Sequence, residues 1–194
     1  NEIIIFNTTL TTSQQQQVEG YLAWKWGLQK SLPSSHPYYY NPLFANLVPN
    51  PPALAPYPNT TNYNFLPTQI AGCGLWLDGA DGSTIVTSGT NVTQWNDKSG
   101  NGRNATQNTV SNQPSYQSNG IVYNSASIQY LSCYLDFLAN TNHNAFIVNK
   151  ISGNSNINFY GALNGSNSSN SLHAGLSNNL NYRLNYWGND WAAA

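Results

Sequence analysis

Charge is what this chain has least of. Only 7% of its 194 residues are Asp, Glu, Lys or Arg, against roughly 25% in an ordinary soluble protein. Six cations and seven anions leave a formal net charge of −1, and the cations are scattered along the chain. A nucleic-acid binder needs clustered cations to displace counterions from phosphates. That class is excluded, and electrostatic docking to an anionic membrane surface with it. No apolar run approaches the roughly 20 residues that a membrane span needs. No signal-peptide pattern is visible. Methionine is absent, so the chain reads as a processed product, an interior piece or an incomplete trace of a longer protein.

Acid–base and nucleophilic groups are scarce too. There are two glutamates, Glu2 and Glu19, and both read as lying outside the β-rich part of the chain. The aspartates at 78, 81, 97, 136 and 190 fall into no paired pattern of the kind glycoside hydrolysis requires. No G-x-S-x-G elbow is present, and His36, His143 and His173 have no obvious partners. The expectation is a protein without catalytic activity. Two cysteines, Cys73 and Cys133, make no zinc site without histidines at suitable spacing. They read either as one disulfide or as two small buried residues.

Asparagine and aromatic residues are plentiful. The chain has 31 Asn, and 13% of it is aromatic, including 13 Tyr and 6 Trp. Disordered chains are usually poor in aromatics. This composition suits an uncharged β-rich protein with long polar loops.

Three regions separate by composition. In residues 1–30, Glu2–Phe6 reads as a strand, and Thr11-Thr12-Ser13 offers helix N-caps, Ser13 with Gln16 having the capping-box spacing. Val18, Tyr21, Leu22 and Trp26 then fall on one helical face, and Gly27 is a plausible stop. Residues 31–67 hold nine of the ten prolines and no charge. Repeated proline forbids helix and interior strand. The segment reads either as a loose linker or as an extended arm whose Tyr38, Tyr39, Tyr40, Phe44, Tyr57, Tyr63 and Phe65 dock on a partner. In residues 68–194 short apolar stretches alternate with Gly/Asn/Ser turns: 74–77, 83–86, 92–95, 120–123, 128–131, 145–148, 157–163 and 182–187. That spacing predicts an antiparallel sandwich or barrel.

Two further patterns carry a family likeness. Gly74-Leu75-Trp76-Leu77-Asp78-Gly79-Ala80-Asp81, followed by Trp95-Asn96-Asp97-Lys98-Ser99-Gly100-Asn101-Gly102, resembles the opening of a laminin-G-like, concanavalin A-like lectin domain. Glu19-Gly20-Tyr21-Leu22-Ala23-Trp24-Lys25-Trp26-Gly27, behind the strand Glu2–Phe6, resembles the end of one. The resemblance implies a concanavalin A-like jelly-roll β-sandwich over 68–194, incomplete at its C-terminus. Residues 1–30 would be the strand–helix tail of a preceding tandem repeat. Such repeats occur in bacterial surface proteins, and Asn-rich versions are similar to virion proteins of large double-stranded DNA viruses that infect algae.

Expectations about function follow from that resemblance. The first is a minor capsid component that ties capsid subunits together in a virion. The second is a glycan-binding adhesion module on a virion or cell surface, with Tyr186, Trp187 and Trp191 stacking on sugar. Trp76 and Trp95 read instead as core residues. Laminin-G-like domains often carry calcium, and Asp78, Asp81 and Asp97, with Asn96 and Asn101, are the best oxygen-ligand cluster. The stronger reading is that these Asp and Asn residues shape tight turns by capping their own backbone. Finally, a sandwich without its closing strand leaves an open edge. Glu2–Phe6 could fill it in cis, or donate itself to another copy.

Overall fold

The computed structural model describes residues 1–40, 65–117, 120–124, 127–138 and 141–150, and the backbone of four strands beyond them. It is mainly β, with antiparallel sheets and one helix, consistent with a β-sandwich. Two compact units divide it, Asn1–Asn149 and Lys150–Ala194. This boundary differs from the compositional one at 30 and 67. The N-terminal strand and helix belong to the same unit as the residues after the proline-rich segment.

Strand β1 (Glu2–Phe6) is the reason. It lies between β2 (Cys73–Asp78) and β8 (Asn144–Val148), antiparallel to both. Glu2 through Ile5 pair with Asp78 through Leu75 on one side, and Glu2 through Phe6 with Val148 through Asn144 on the other. The second sheet holds β3 (Ile85–Ser88), β4 (Asn91–Trp95), β6 (Ser115–Gln117) and β7 (Gly120–Val122), with the two-residue β5 (Ala105–Thr106) beside β4. The edge-filling role expected of Glu2–Phe6 is thus met in cis. Glu2 sits inside the central sheet, not outside the β-rich part.

The run Ile3-Ile4-Ile5-Phe6 is unbroken by polar residues because β1 is covered on both faces. Successive side chains point to opposite sides of a strand. Ile4, Phe6 and Trp76 meet Val18, Tyr21 and Leu22 of the helix in one apolar cluster, with Phe146 and Val148 against it. Ile5, Leu75 and Leu77 meet Val92, Trp95, Ala105 and Ile121 of the second sheet in another. The order of layers is helix, three-stranded sheet, second sheet. Ile4, Ile5 and Phe6 are all fully buried, each contributing on the order of 1.5–3 kcal/mol before ordering costs.

Helix α1 (Thr12–Trp26) begins with a capping box between Thr11 and Gln14, two residues before the expected one, and ends at Gly27 in the left-handed conformation (φ 71). Residues 33–40 are not an extended arm. The His36 amide donates to the Pro33 carbonyl and the Tyr39 amide to the His36 carbonyl, closing two successive turns. The second compact unit, taken by itself, is an antiparallel meander of β9 (Ile157–Ala162), β10 (Leu172–Leu176), β11 (Tyr182–Tyr186) and β12 (Asn189–Ala192).

Candidate functional site

Between α1 and the central sheet lies a buried cluster of charge, in a chain that has little. Glu2 shares the helix-facing side of β1 with Ile4 and Phe6, and its side chain is fully buried. One carboxylate oxygen accepts from Tyr21 Oη at 3.0 Å and Trp76 Nε1 at 2.8 Å. The other accepts from Trp26 Nε1 at 2.7 Å and lies 2.8 Å from Lys25 Nζ. Directly across the ladder from Glu2 stands Asp78. Like charges opposed on neighbouring strands repel. Lys25 relieves that repulsion from the helix, because its Nζ is also 2.7 Å from Asp78 Oδ1.

The chain of ion pairs continues outward. Asp78 Oδ2 is 2.9 Å from Lys98 Nζ, which reaches Asp81 Oδ2 at 2.7 Å and lies 4.5 Å from the centre of the Trp76 ring. Burial alone would raise the Asp78 carboxyl, but Lys25 and Lys98 outweigh it and hold it below the ordinary carboxylate range. Asp81 is lowered in the same way: burial opposes, and Lys98 and Ser83 prevail. Lys98 is raised, since its two carboxylate partners overcome the cost of burial.

Asp97 does something else. Its two oxygens accept from the backbone amides of Trp76, Ser99 and Arg103 and from Ser99 Oγ, at 2.7–3.0 Å. The Asn104 side chain accepts from the Asp97 amide at 2.9 Å. Arg103 Nη1 and Asn101 Nδ2 donate to the Gly74 carbonyl, and the Lys98 amide to that of Trp76. The turn after β4 is therefore a clamp on the start of β2.

Calcium ligation and turn capping are the two readings of these aspartates. Asp78 and Asp81 are brought together, but around an ammonium group, and Asp97 is bound to backbone amides. Among the described residues, no group of three or more His, Cys, Asp or Glu side chains is placed to hold a metal ion. The disulfide is also not formed. Cys73 and Cys133 are free thiols packed against different clusters, Cys73 on the helix side and Cys133 on the second-sheet side. Burial, with the Asp97 charge nearby, pushes the Cys73 thiol up to about 12 and the Cys133 thiol up to about 11.

The aromatic residues expected to dock on a partner divide differently. Phe65 is buried in this chain's own core, its ring 5.9 Å from that of Tyr21. Tyr38 packs on α1 at Gly20, where an added β-carbon would meet Tyr38 Cδ2 at 2.6 Å, and its carbonyl accepts from Trp24 Nε1 at 2.7 Å. Tyr39 and Tyr40 meet edge to face, and Tyr40 is exposed. Phe44, Tyr57 and Tyr63 lie outside the described residues, as does Trp187. Tyr186 pairs with Leu172 and Asn189, and Trp191 with Leu184, in the second unit's sheet. Trp76 and Trp95 are core residues, as read from the sequence.

His36 is nearly buried, its Nε2 3.1 Å from Glu19. The Tyr38 amide donates to its Nδ1. An accepting Nδ1 places the proton on Nε2, facing the carboxylate.

Sequence reasoning missed the cluster around Glu2 and Lys25. The available signal was an acidic residue opening an apolar run in a chain so poor in charge, since a buried carboxylate demands partners. Compared with models of protein families, with curated proteins and with solved structures, the chain matches none.

Proposed function

We propose that this chain is a non-enzymatic structural and interaction protein, a minor capsid component that ties subunits of a virus particle together, built on a concanavalin A-like jelly-roll sandwich. The observation that supports this reading is where the motif residues are engaged. Tyr21, Lys25, Trp26, Trp76, Asp78, Asp97, Lys98 and Ser99 carry the laminin-G-like resemblance, and each bonds inward, joining one part of the fold to another. A motif engaged in holding two segments together favours a mechanical role. The sequence of residues 41–64, with six prolines, no charge and the aromatics Phe44, Tyr57 and Tyr63, is the part of the proline-rich segment that would supply extended contacts on neighbouring subunits.

The test is co-sedimentation of the purified full chain with virus particles, against retention on immobilised glycans. The structural reading expects association with the particle that soluble sugars leave intact. Glycan retention lost in Trp191→Ala would support the lectin alternative and overturn the structural one.

A further inference from the structure

The first compact unit is assembled from two stretches of chain. Residues 1–40 supply β1 and α1. Residues 65–149 supply every other strand of the unit. The contacts between the two stretches are specific as well as extensive. They comprise both ladders of β1, the Trp76–Glu2 and Lys25–Asp78 bonds, and a bond from the Leu10 amide to Asn144 Oδ1. Removing residues 1–40 would take the middle strand from the sheet, leaving β2 and β8 each without a neighbour on that side, and would take Lys25 from Asp78.

Between the stretches lie 24 residues, 41–64, six of them proline. In one chain they have little distance to cover. Tyr38, just before them, sits on Gly20, and Phe65, just after them, sits on Tyr21, its neighbour in α1. A chain of this length could reach roughly 70 Å at about 3.1 Å per residue. The connection is far longer than closure in cis requires. It is long enough to carry residues 1–40 to a neighbouring molecule.

We propose that the partner of this fold is a second copy of the same chain: residues 1–40 of one molecule seat between β2 and β8 of another, with the contacts seen here in cis. This deepens the structural reading above and rests on it, naming what the tie joins. The exchange is self-complementary, because every contact given up in one unit is regained in the other. Concentration governs it. A tether of this kind holds its own segment at an effective concentration on the order of millimolar. Closure in cis therefore wins in dilute solution, and exchange competes only where copies are packed as densely as in a shell.

The test uses full-length chains with two different affinity tags, unfolded, mixed and refolded over a range of concentrations. Exchange predicts dimers carrying both tags, a fraction that rises with concentration and does not dissociate on dilution under native conditions. Monomers alone at every concentration, or dimers that fall apart on dilution, would overturn it. A second measurement identifies the exchanged segment. Glu2→Lys spoils the donated strand, and Asp78→Lys spoils the site that receives it. Each variant refolded alone should lose the cooperative unfolding transition. Refolded together, they should regain it in mixed dimers holding one intact unit. If wild-type mixed dimers form but the variant pair shows no rescue, another surface makes the contact and the proposal fails. Particle association without exchange would leave the structural role standing and remove only this inference.

Discussion

Lys25 sits where two carboxylates face each other across a β-ladder, 2.8 Å from Glu2 and 2.7 Å from Asp78. Removing one member of a buried ionic group leaves the others uncompensated, at a cost of about 3–5 kcal/mol. Lys25→Met should therefore lower the unfolding free energy by about that much in urea titrations. Adding Glu2→Gln and Asp78→Asn to it should recover a large part, since no charge then lacks a partner at the centre. The same network sets a pH profile. Asp78 and Asp81 are held below their ordinary value, so their contribution is complete above about pH 4 and is lost as pH falls through their lowered values. Lys98 is raised. Its contribution is complete below about pH 10 and is lost as pH rises through its raised value. Urea midpoints measured against pH should fall on the acid side, with a shallower fall in Asp81→Asn, and on the alkaline side from about pH 8.5 upward, where the Cys73 and Cys133 thiols, raised in the fold, ionise in the unfolded chain.

At the scale of elements, the turn after β4 shows how one side chain fixes a register. Asp97 collects three backbone amides and one hydroxyl, and so presses the turn onto β2. Leaving such amides without acceptors costs about 1–3 kcal/mol for each one that water cannot reach. Asp97→Ala should lower stability by about 2–3 kcal/mol in thermal or urea unfolding, and Asp97→Asn by less. Millimolar calcium should shift neither protein's midpoint. Of the elements, β1, α1, β2, β4 and β8 were legible in the sequence, because apolar period and caps agree there. Strands β5, β6, β10 and β12 were not. β5 has two residues, and Ser115-Tyr116-Gln117 and Asn189-Asp190-Trp191-Ala192 lack an apolar alternation. The apolar stretch 128–131 has the pattern of a strand, yet only the adjacent Ser132 bridges, to Thr106. The candidate site was legible in its aspartates but not in their partners. Lys25 and Asp78 are far apart in sequence, and only the docking of α1 on the sheet brings them together.

Over the whole first unit, the residues that resemble the end of a lectin-like domain pack against those that resemble its beginning. The resemblance alone placed them in separate repeats. A buried ionic group needs all its partners at once, so Glu2, Lys25, Asp78 and Lys98 make the closure selective as well as tight. Apolar burial supplies the bulk of the stability, through Ile4, Ile5 and Phe6 on the two faces of β1. The central claim is that Glu2–Phe6 is the middle strand of the folded core. Hydrogen exchange of the intact chain, read by mass spectrometry, tests it most directly. Amides of Ile3, Ile4 and Ile5 should exchange only through global unfolding, as slowly as those of Leu75 and Leu77. Exchange of these amides at the rate of a frayed terminus, while β2 stays protected, would contradict the account.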